Sequence, residues 1–500
     1  MKIDKKYIVI AVCILIGGVL TATLAFIGPD IITNGTINPN NVVTGNLKLK
    51  ITDTSVNINN MAPIRSSNYE TEAFKKEFTI SNAESTLNGC MKLYLNFNSI
   101  SDTLKSEYLV YKVVSSTGNV SEGSFKDIAD NKLLIYDSDF IETNKSITYT
   151  LYIWLRYVED PTINLASLLG TSVNAYVSVN GTDTKESTSC TFDSSKKISY
   201  VVTFMKEDNK TVLETRKVSS GSVLGSLPNT RQYFTKTGGN GTEYTSTSTI
   251  TDDVMLYNST FEYDTWSEIV ANVKANKISQ YNVGDTKSVN LGTYGTHTLR
   301  IANTSTPSEC STSGFSQTAC GFVLEFADII TTHNMNPSGT YKGTQYDYGW
   351  NKDGWPATDM RTFVNNDIYN AIPSEIKNAI IDTTVVSGHG STSGETNFTS
   401  TDKLYLLSTA EVWAQGSSNT IEYDTARDVT RQLDYYKNLG TSTSNYSGAI
   451  KKNGTSDAIW WLRAAGSYNA HIFLPVTGNG DWTYSSAAST YGVAPAFRLG

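Results

Sequence analysis

Histidines, cysteines and paired acids are the groups through which this chain could do chemistry, and their spacing argues against it. The four histidines are His297, His333, His389 and His471. No two stand at the interval that brings two imidazoles to one metal ion, and no His-Glu-x-x-His occurs. His389 lies in the tight-turn sequence Ser387-Gly388-His389-Gly390; with no Gly-x-Ser-x-Gly, there is no nucleophile elbow for it to serve. The 48 acidic residues must supply some carboxylate pair at a workable distance, but no local sequence marks one for glycoside hydrolysis. The triplets Glu-Pro-Asn and Trp-Asn-Asp, which hold calcium in some sugar-binding loops, are missing. The expectation is no catalytic group, no metal and no cofactor.

Cysteine usage points elsewhere. Beyond Cys13 there are Cys90, Cys190, Cys310 and Cys320, and no Cys-x-x-Cys suggests zinc or redox exchange. An even number in an exported chain allows disulfides. Cys310 and Cys320 flank a Ser/Thr/Gly loop that a bridge could close. Cys90 with Cys190 would tie a strand to the linker after it, a pairing the sequence leaves open.

Aromatic residues offer binding in place of catalysis. Trp460, Trp461, Trp482, Tyr484 and Tyr491 form the densest late cluster, and such rings stack on sugars and on flat apolar patches. Neighbouring residues of a strand face opposite ways, so at least one of Trp460 and Trp461 belongs to the core, and both are expected to be mainly structural. Trp482 and Tyr484 follow the turn Gly478-Asn479-Gly480 and are expected to be exposed. His471 precedes a strand, within reach of a ligand. Arg463 and Arg498 could clamp a carboxylate or pair internally with Asp434 or Glu411. Asp424, Arg427, Arg431, Asp434 and Tyr435 read as a solvated ion-pair ladder on a helix face. The predicted ligand contacts are therefore Trp482, Tyr484, His471, Trp460, Trp461, Arg463 and Tyr491.

These groups need a frame, and the chain is long enough to build several. Its 500 residues exceed one core, and 39% apolar with 18% charged residues describes globular modules. Tyrosines outnumber phenylalanines 29 to 17, and Thr, Ser and Asn are abundant, a composition suited to strands. A net charge of -8 with no basic face argues against nucleic acid. Lys2, Lys5 and Lys6 precede an uncharged run from Tyr7 to Ile27, about the length that spans a bilayer as a helix. Residues 1–28 are therefore expected to be a retained membrane helix or a signal peptide, with everything after them outside the cell.

The first outer module, residues 34–181, alternates with period two. Examples are Leu47, Leu49, Ile51; Met91, Leu93, Leu95, Phe97; Ile147, Tyr149, Leu151, Ile153, Leu155; and Val173, Ala175, Val177, Val179. Such alternation predicts an antiparallel β-sandwich. Asn34-Gly35 and Val42-Val43-Thr44-Gly45-Asn46-Leu47-Lys48-Leu49 resemble the opening of camelysin-like proteins, which include matrix-fibre proteins of Gram-positive bacteria. That resemblance implies a jelly-roll-like sandwich. Residues 198–258, through Val202-Thr203-Phe204, Leu227-Pro228 and Thr251-Asp252-Asp253, resemble one Listeria–Bacteroides repeat of internalin-type surface proteins. This implies a small β-grasp-like spacer, although Gln232-Tyr233-Phe234 and the turn Gly238-Gly239-Asn240-Gly241 stand where the family has Gly-Trp-Tyr.

Residues 263–500 mix helices and strands. Helices are expected after the capping box Thr265-x-x-Glu268, along Met360-Phe363-Val364-Ile368, after Pro373, after Ser408-x-x-Glu411, and along Val429-Leu433-Tyr436 up to Gly440. Strands are expected at 287–290, 298–301, 322–326, 404–407, 472–476 and 493–499. The landmarks Arg300-Ile301-Ala302-Asn303, Gly354-Trp355-Pro356, Met360-Arg361-x-x-x-Asn365, Leu404-Tyr405-Leu406-Leu407-Ser408, Trp460-Trp461-Leu462-Arg463 and Gly492-Val493-x-Pro495-Ala496-Phe497 resemble a domain of unknown function found in surface proteins of gut Firmicutes. Its ending is also similar in layout to C-type-lectin-like and formylglycine-enzyme-like domains. Ala464 and Ala494 replace the usual Ser and Arg.

The fold expected is thus multidomain, mainly β plus α+β: an N-terminal transmembrane helix, an antiparallel β-sandwich, a small β-grasp-like domain and a C-terminal α+β, C-type-lectin-like domain. The function expected is a membrane-anchored, adhesin-like binder of glycan or protein at the cell surface, using loops from Gly466 to Tyr491. The alternatives are a fibre subunit assembling through the sandwich and a cryptic extracellular enzyme of formylglycine-enzyme or hydrolase type.

Overall fold

The computed structural model describes residues 32–33, 36–37, 41–44, 47–98, 100–158, 163–184, 189–391, 394–415 and 421–500. The apolar run predicted to cross a membrane lies outside them. Among the described residues no helix is long and apolar enough to do so. The chain is mostly β, in several sheets, and divides into two compact units. Unit 1 runs to Phe204 and adds Leu213–Pro228 and Thr245–Met255; unit 2 takes Met205–Val212, Asn229–Tyr244 and Leu256–Gly500.

Unit 1 follows its period-two pattern. One sheet runs in the order Val120–Ser124, Leu109–Ser115, Ser146–Arg156, Phe74–Ser81, Leu47–Ile51, Asn41–Thr44, and Pro63–Ile64 adds a short parallel pairing to Ser146–Arg156. The other runs Lys132–Ile141, Gly89–Phe97, Val173–Asp183, Ser55–Ile58, all antiparallel. Alternate side chains of both sheets meet in one core: Leu47, Leu49 and Ile51 from the first, Met91, Leu93, Leu95, Val177 and Val179 from the second. Each of these is essentially solvent-free, so burial of one face fixes the register of every strand. A disulfide joins Cys90 to Cys190 and settles the pairing the sequence left open.

Unit 2 carries two main sheets on a second core. The first has the order Thr286–Asn290, Thr296–Asn303, Val323–Phe326, Ala496–Arg498; the second Thr331–His333, Tyr491–Val493, Trp460–Ala465, Ile472–Val476, Ser485–Ser486. All six residues of Trp460–Ala465 are buried, because other elements cover both faces of this strand. The capping boxes form as expected, Thr265 with Glu268 ahead of helix Trp266–Lys274 and Ser408 with Glu411 ahead of Thr409–Val412. The Met360 stripe becomes helix Asp359–Phe363, which continues through a π turn at Val364–Ile368.

Three expectations need correction. The 493–499 strand is really two, Tyr491–Val493 in one sheet and Ala496–Arg498 in the other. Pro495 between them has no N–H to continue a ladder, so the chain changes sheets there. Residues 404–407 form no strand; buried throughout, they make a single isolated bridge, Tyr405 to Ala496, and the Leu407 carbonyl accepts from the Arg463 backbone N–H at 2.9 Å. The helix expected to start near Val429 is only Asp434–Asn438. Val429 ends a 3-10 turn and Thr430 is fully extended (φ −145°, ψ 180° to within a degree), which breaks the helical path. Gly440, at φ 67°, terminates the short helix as predicted.

Candidate functional site

The residues that looked most like a motif turn out to hold the frame together. Arg463 is fully buried and makes a two-pronged ion pair with Glu411, Nη1 to Oε2 at 2.7 Å and Nη2 to Oε1 at 2.6 Å. Its Nη1 also reaches the Leu406 carbonyl at 2.8 Å. Glu411 accepts further bonds from the Ser408 amide (2.9 Å), the Thr430 hydroxyl (2.9 Å) and the Thr318 hydroxyl. Burial alone would disfavour its charge, yet the Arg463 charge and these donors outweigh it and hold Glu411 below the ordinary carboxylate range. Of the two partners the sequence offered Arg463, the structure uses Glu411. Arg498 bonds Gln317 Oε1 at 3.2 Å.

A second buried carboxylate repeats the theme. Glu325 takes Arg300 Nε and Nη2 on Oε1 at 3.1 and 2.7 Å, and Lys451 Nζ and the Tyr436 hydroxyl on Oε2 at 2.9 and 2.8 Å. Desolvation opposes ionisation here too, but Arg300 and Lys451 bring Glu325 down to about 2. Asp402 accepts from Arg361 Nε at 2.6 Å and Trp355 Nε1 at 2.9 Å. Asn365 bonds the Leu404 backbone. The landmark residues therefore satisfy one another inside the fold.

The predicted ion-pair ladder is not a solvated face. Asp424 is buried and receives the Thr409 hydroxyl; Arg427 turns inward to Thr409 Oγ1 (2.8 Å) and the Trp413 carbonyl (2.9 Å). Arg431 pairs with Asp434 at 2.9 Å and reaches the Ala319 carbonyl at 2.9 Å. Tyr435 lies under the Arg300 guanidinium, 3.7 Å from ring centre to Cζ. No single helix carries these residues on one face: Arg427–Val429 is a 3-10 turn, Thr430 is extended, and the helix begins only at Asp434.

Of the predicted ligand contacts, Trp460, Trp461 and Arg463 have no exposed surface and are corrected to interior residues. The indole N–H of Trp460 bonds the Ala449 carbonyl, that of Trp461 the His333 carbonyl, both at 3.0 Å. Trp482 was expected to be exposed, but it is half-buried against the main core, since Val476 bridges to it across the turn. Tyr491 packs on Trp461 at 4.9 Å and shares a hydrogen bond with Ser485 (3.1 Å).

What remains at the surface is tyrosine. Tyr484 is 53% exposed, and beside it stand Tyr468, 63% exposed, and the half-buried Tyr423. Ring centres lie 5.3 Å apart for Tyr423–Tyr468, 6.2 Å for Tyr468–Tyr484 and 6.4 Å for Tyr423–Tyr484. His471 pairs with Tyr348, itself 63% exposed, at 5.4 Å. Tyr348, Tyr423 and Tyr468 were missed in the sequence, where each is a single aromatic in a polar loop with no periodicity to flag it.

Buried polar groups hold this patch in place. The Asn351 amide sits against the carbonyls of Gly466, Asn469 and Ile472 at 2.9, 2.6 and 2.9 Å, and its backbone N–H reaches Ala470 at 2.9 Å. The Ser467 amide bonds the Tyr423 carbonyl at 3.0 Å. Gly466 is required, since a Cβ there would fall 2.7 Å from Ile472. Loop 466–472 is thus tied at both ends while its tyrosine faces water. Cys310 and Cys320 are joined, as the sequence allowed. No group of three or more His, Cys, Asp or Glu side chains fit to hold a metal occurs among the described residues.

Comparison with known proteins adds little. Residues 327–500 match a family model described as a domain of unknown function, DUF6273. No curated protein matches the chain. A solved structure of the group B streptococcus pilus 2b backbone protein is similar at 14% identity over 41% of this chain and 79% of that one, with a TM-score of 0.09. A score that low carries no argument.

Proposed function

We propose that this chain is a bacterial cell-surface recognition protein that binds glycan or protein through tyrosine-bearing loops of its C-terminal domain. The observation that carries this reading is the meeting of Tyr423, Tyr468 and Tyr484 from three separate loops, with centroid spacings of 5.3–6.4 Å and two of the rings more than half exposed. Tyrosine gives a large flat contact area with a hydroxyl at its edge, at low entropic cost on immobilisation. Tyr468 stands on a loop pinned by buried hydrogen bonds from Asn351, and the Ser467 amide ties that loop to Tyr423, so these two rings have little order to gain on binding.

Placement outside the cell fits the disulfides Cys90–Cys190 and Cys310–Cys320, since such bonds persist in oxidising compartments. It also fits the Lys-flanked apolar run Tyr7–Ile27, read as an anchor or export signal. In this reading the C-terminal domain carries the recognition, and the camelysin-like sandwich and the β-grasp-like segment link it to the N-terminal segment in sequence. The test is a glycan array and a cell-binding screen on the full chain and on its Tyr468→Ala/Tyr484→Ala variant. A ligand captured by the parent and lost by the variant supports the reading. A ligand held equally by both removes the tyrosines from the site.

A further inference from the structure

A second candidate site lies well apart in sequence from the tyrosine loops. Glu207, Asn229, Thr230, Arg231, Gln232, Ser259, Ser279, Gln280 and Asn282, all in unit 2, line a cleft of about 480 Å³. That size suits a small molecule, but the lining is unlike a typical small-molecule pocket, which is mainly apolar. Every lining side chain here is polar. The only two charges cancel, because Arg231 and Glu207 form an ion pair at 2.6 Å.

The hydrogen-bonding groups are partly committed and partly free. Gln232 is fixed by Glu243 (3.2 Å) and Ser279 (3.5 Å). Ser259, only 5% exposed, gives its proton to the buried Asp264 carboxylate at 2.6 Å, and Tyr281 holds the same oxygen at 2.7 Å. With its proton directed inward, the Ser259 oxygen keeps lone pairs to accept a bond from the cleft. The side-chain amides of Gln280 and Asn282 have no partner among the described residues, and each offers both a donor and an acceptor. Gly239 keeps the space open. A Cβ on it would lie 3.0 Å from Gln280 Nε2 and 3.2 Å from Ser259 Oγ. That glycine belongs to the Gly238-Gly239-Asn240-Gly241 turn that departs from the repeat pattern, as does Gln232.

We infer that this cleft binds a short neutral saccharide, independently of the tyrosine loops. Paired donors and acceptors on uncharged amides match vicinal hydroxyls, which also donate and accept, whereas an ion would find no uncompensated charge, Arg231 and Glu207 being paired with each other, and an apolar ligand would strand every group of the wall.

The experiment titrates the full chain by calorimetry with maltose, lactose and N,N′-diacetylchitobiose, and with 3′-sialyllactose as a charged counterpart. The expected result is millimolar or tighter binding of at least one neutral disaccharide. That binding falls at least tenfold in Gln280→Ala/Asn282→Ala, and stays within twofold in Tyr468→Ala/Tyr484→Ala. Both altered amides are at least partly exposed, so the thermal midpoint of the double variant should match the parent and separate lost binding from lost folding. Failure of all three neutral disaccharides to bind, or binding unchanged by the amide substitutions, overturns the inference. Binding lost only with the tyrosines also overturns it, while leaving the tyrosine site standing.

Discussion

The interior of the C-terminal unit and its tyrosine loops are built on opposite principles. Inside, charged and aromatic residues are locked to named partners: Arg463 to Glu411, Arg300 and Lys451 to Glu325, Trp461 to the His333 carbonyl. At the loops, Tyr468 and Tyr484 meet each other and Tyr423 and are more than half exposed. The contrast teaches that the most motif-like residues of the chain serve architecture, whereas the exposed loop tyrosines are not tied into the interior network, which is why the proposed recognition is assigned to them.

The sharpest way to break that contrast is to remove an interior charge. Arg463→Met leaves Glu411 buried without its counter-ion, which costs about 3–5 kcal/mol; chemical unfolding should show a fall of that size. Pairing it with Glu411→Leu should recover most of the loss. A change under ~1 kcal/mol for Arg463→Met alone would mean that the ion pair does not organise the core.

The disulfide Cys310–Cys320 is the next test. It pins the turn Gln317–Ala319, whose Thr318 serves Glu411 and whose carbonyl receives the Tyr405 hydroxyl at 2.8 Å. Closing a loop this short stabilises by about 2.7 kcal/mol on the loop-entropy relation. Cys310→Ser/Cys320→Ser should lower unfolding free energy by roughly that amount. An unchanged denaturation midpoint would show that the turn holds without the bridge.

Acid gives a graded test of the same interior. Glu325 sits at about 2 in the fold against an ordinary 4.5, so the unfolded chain binds more protons between those values. Stability from this group is full above pH 4.5, declines as pH falls, and is gone below about 2. Unfolding curves at successive pH values should show this slope, and Glu325→Gln should flatten it. An identical slope in the variant would assign the acid sensitivity elsewhere.

The smallest expected effect sharpens the contrast from the other side. Tyr468→Ala/Tyr484→Ala should change stability by no more than about 0.5 kcal/mol per site, as exposed positions do, while abolishing capture of a surface ligand. If the pair instead destabilised the unit by several-fold more, these rings would belong to the frame.

Much of the frame was legible because strong local rules wrote it. The alternation through Met91, Leu93 and Leu95 predicted a strand with one buried face, and the Ser408–Glu411 spacing predicted a capped helix. Glu411 could also be named as a partner for Arg463. The loop tyrosines were only partly legible. Tyr484 was found through its turn, but Tyr423 meets Tyr468, and Tyr348 meets His471, only through contacts such as Asn351 to Gly466, which leave no local pattern. Trp482 was misread for a related reason: a turn predicts a surface position, while the bridge from Val476 that half-buries it depends on register. The inward turn of Arg427 was missed because the apolar spacing Val429-Leu433-Tyr436 suggested one helix, whereas Arg427–Val429 is a 3-10 turn followed by the extended Thr430.

The change of sheets at Pro495 bears on how this unit is made. Val323 pairs with Arg498, so the third strand of the first sheet waits for a fourth synthesised far later. Until then Leu324 and Phe326 have an open edge, and closing so large a loop makes assembly slow. A nascent chain in that state is exposed to aggregation and proteolysis, so shielding the waiting edge during synthesis should govern how much protein is recovered.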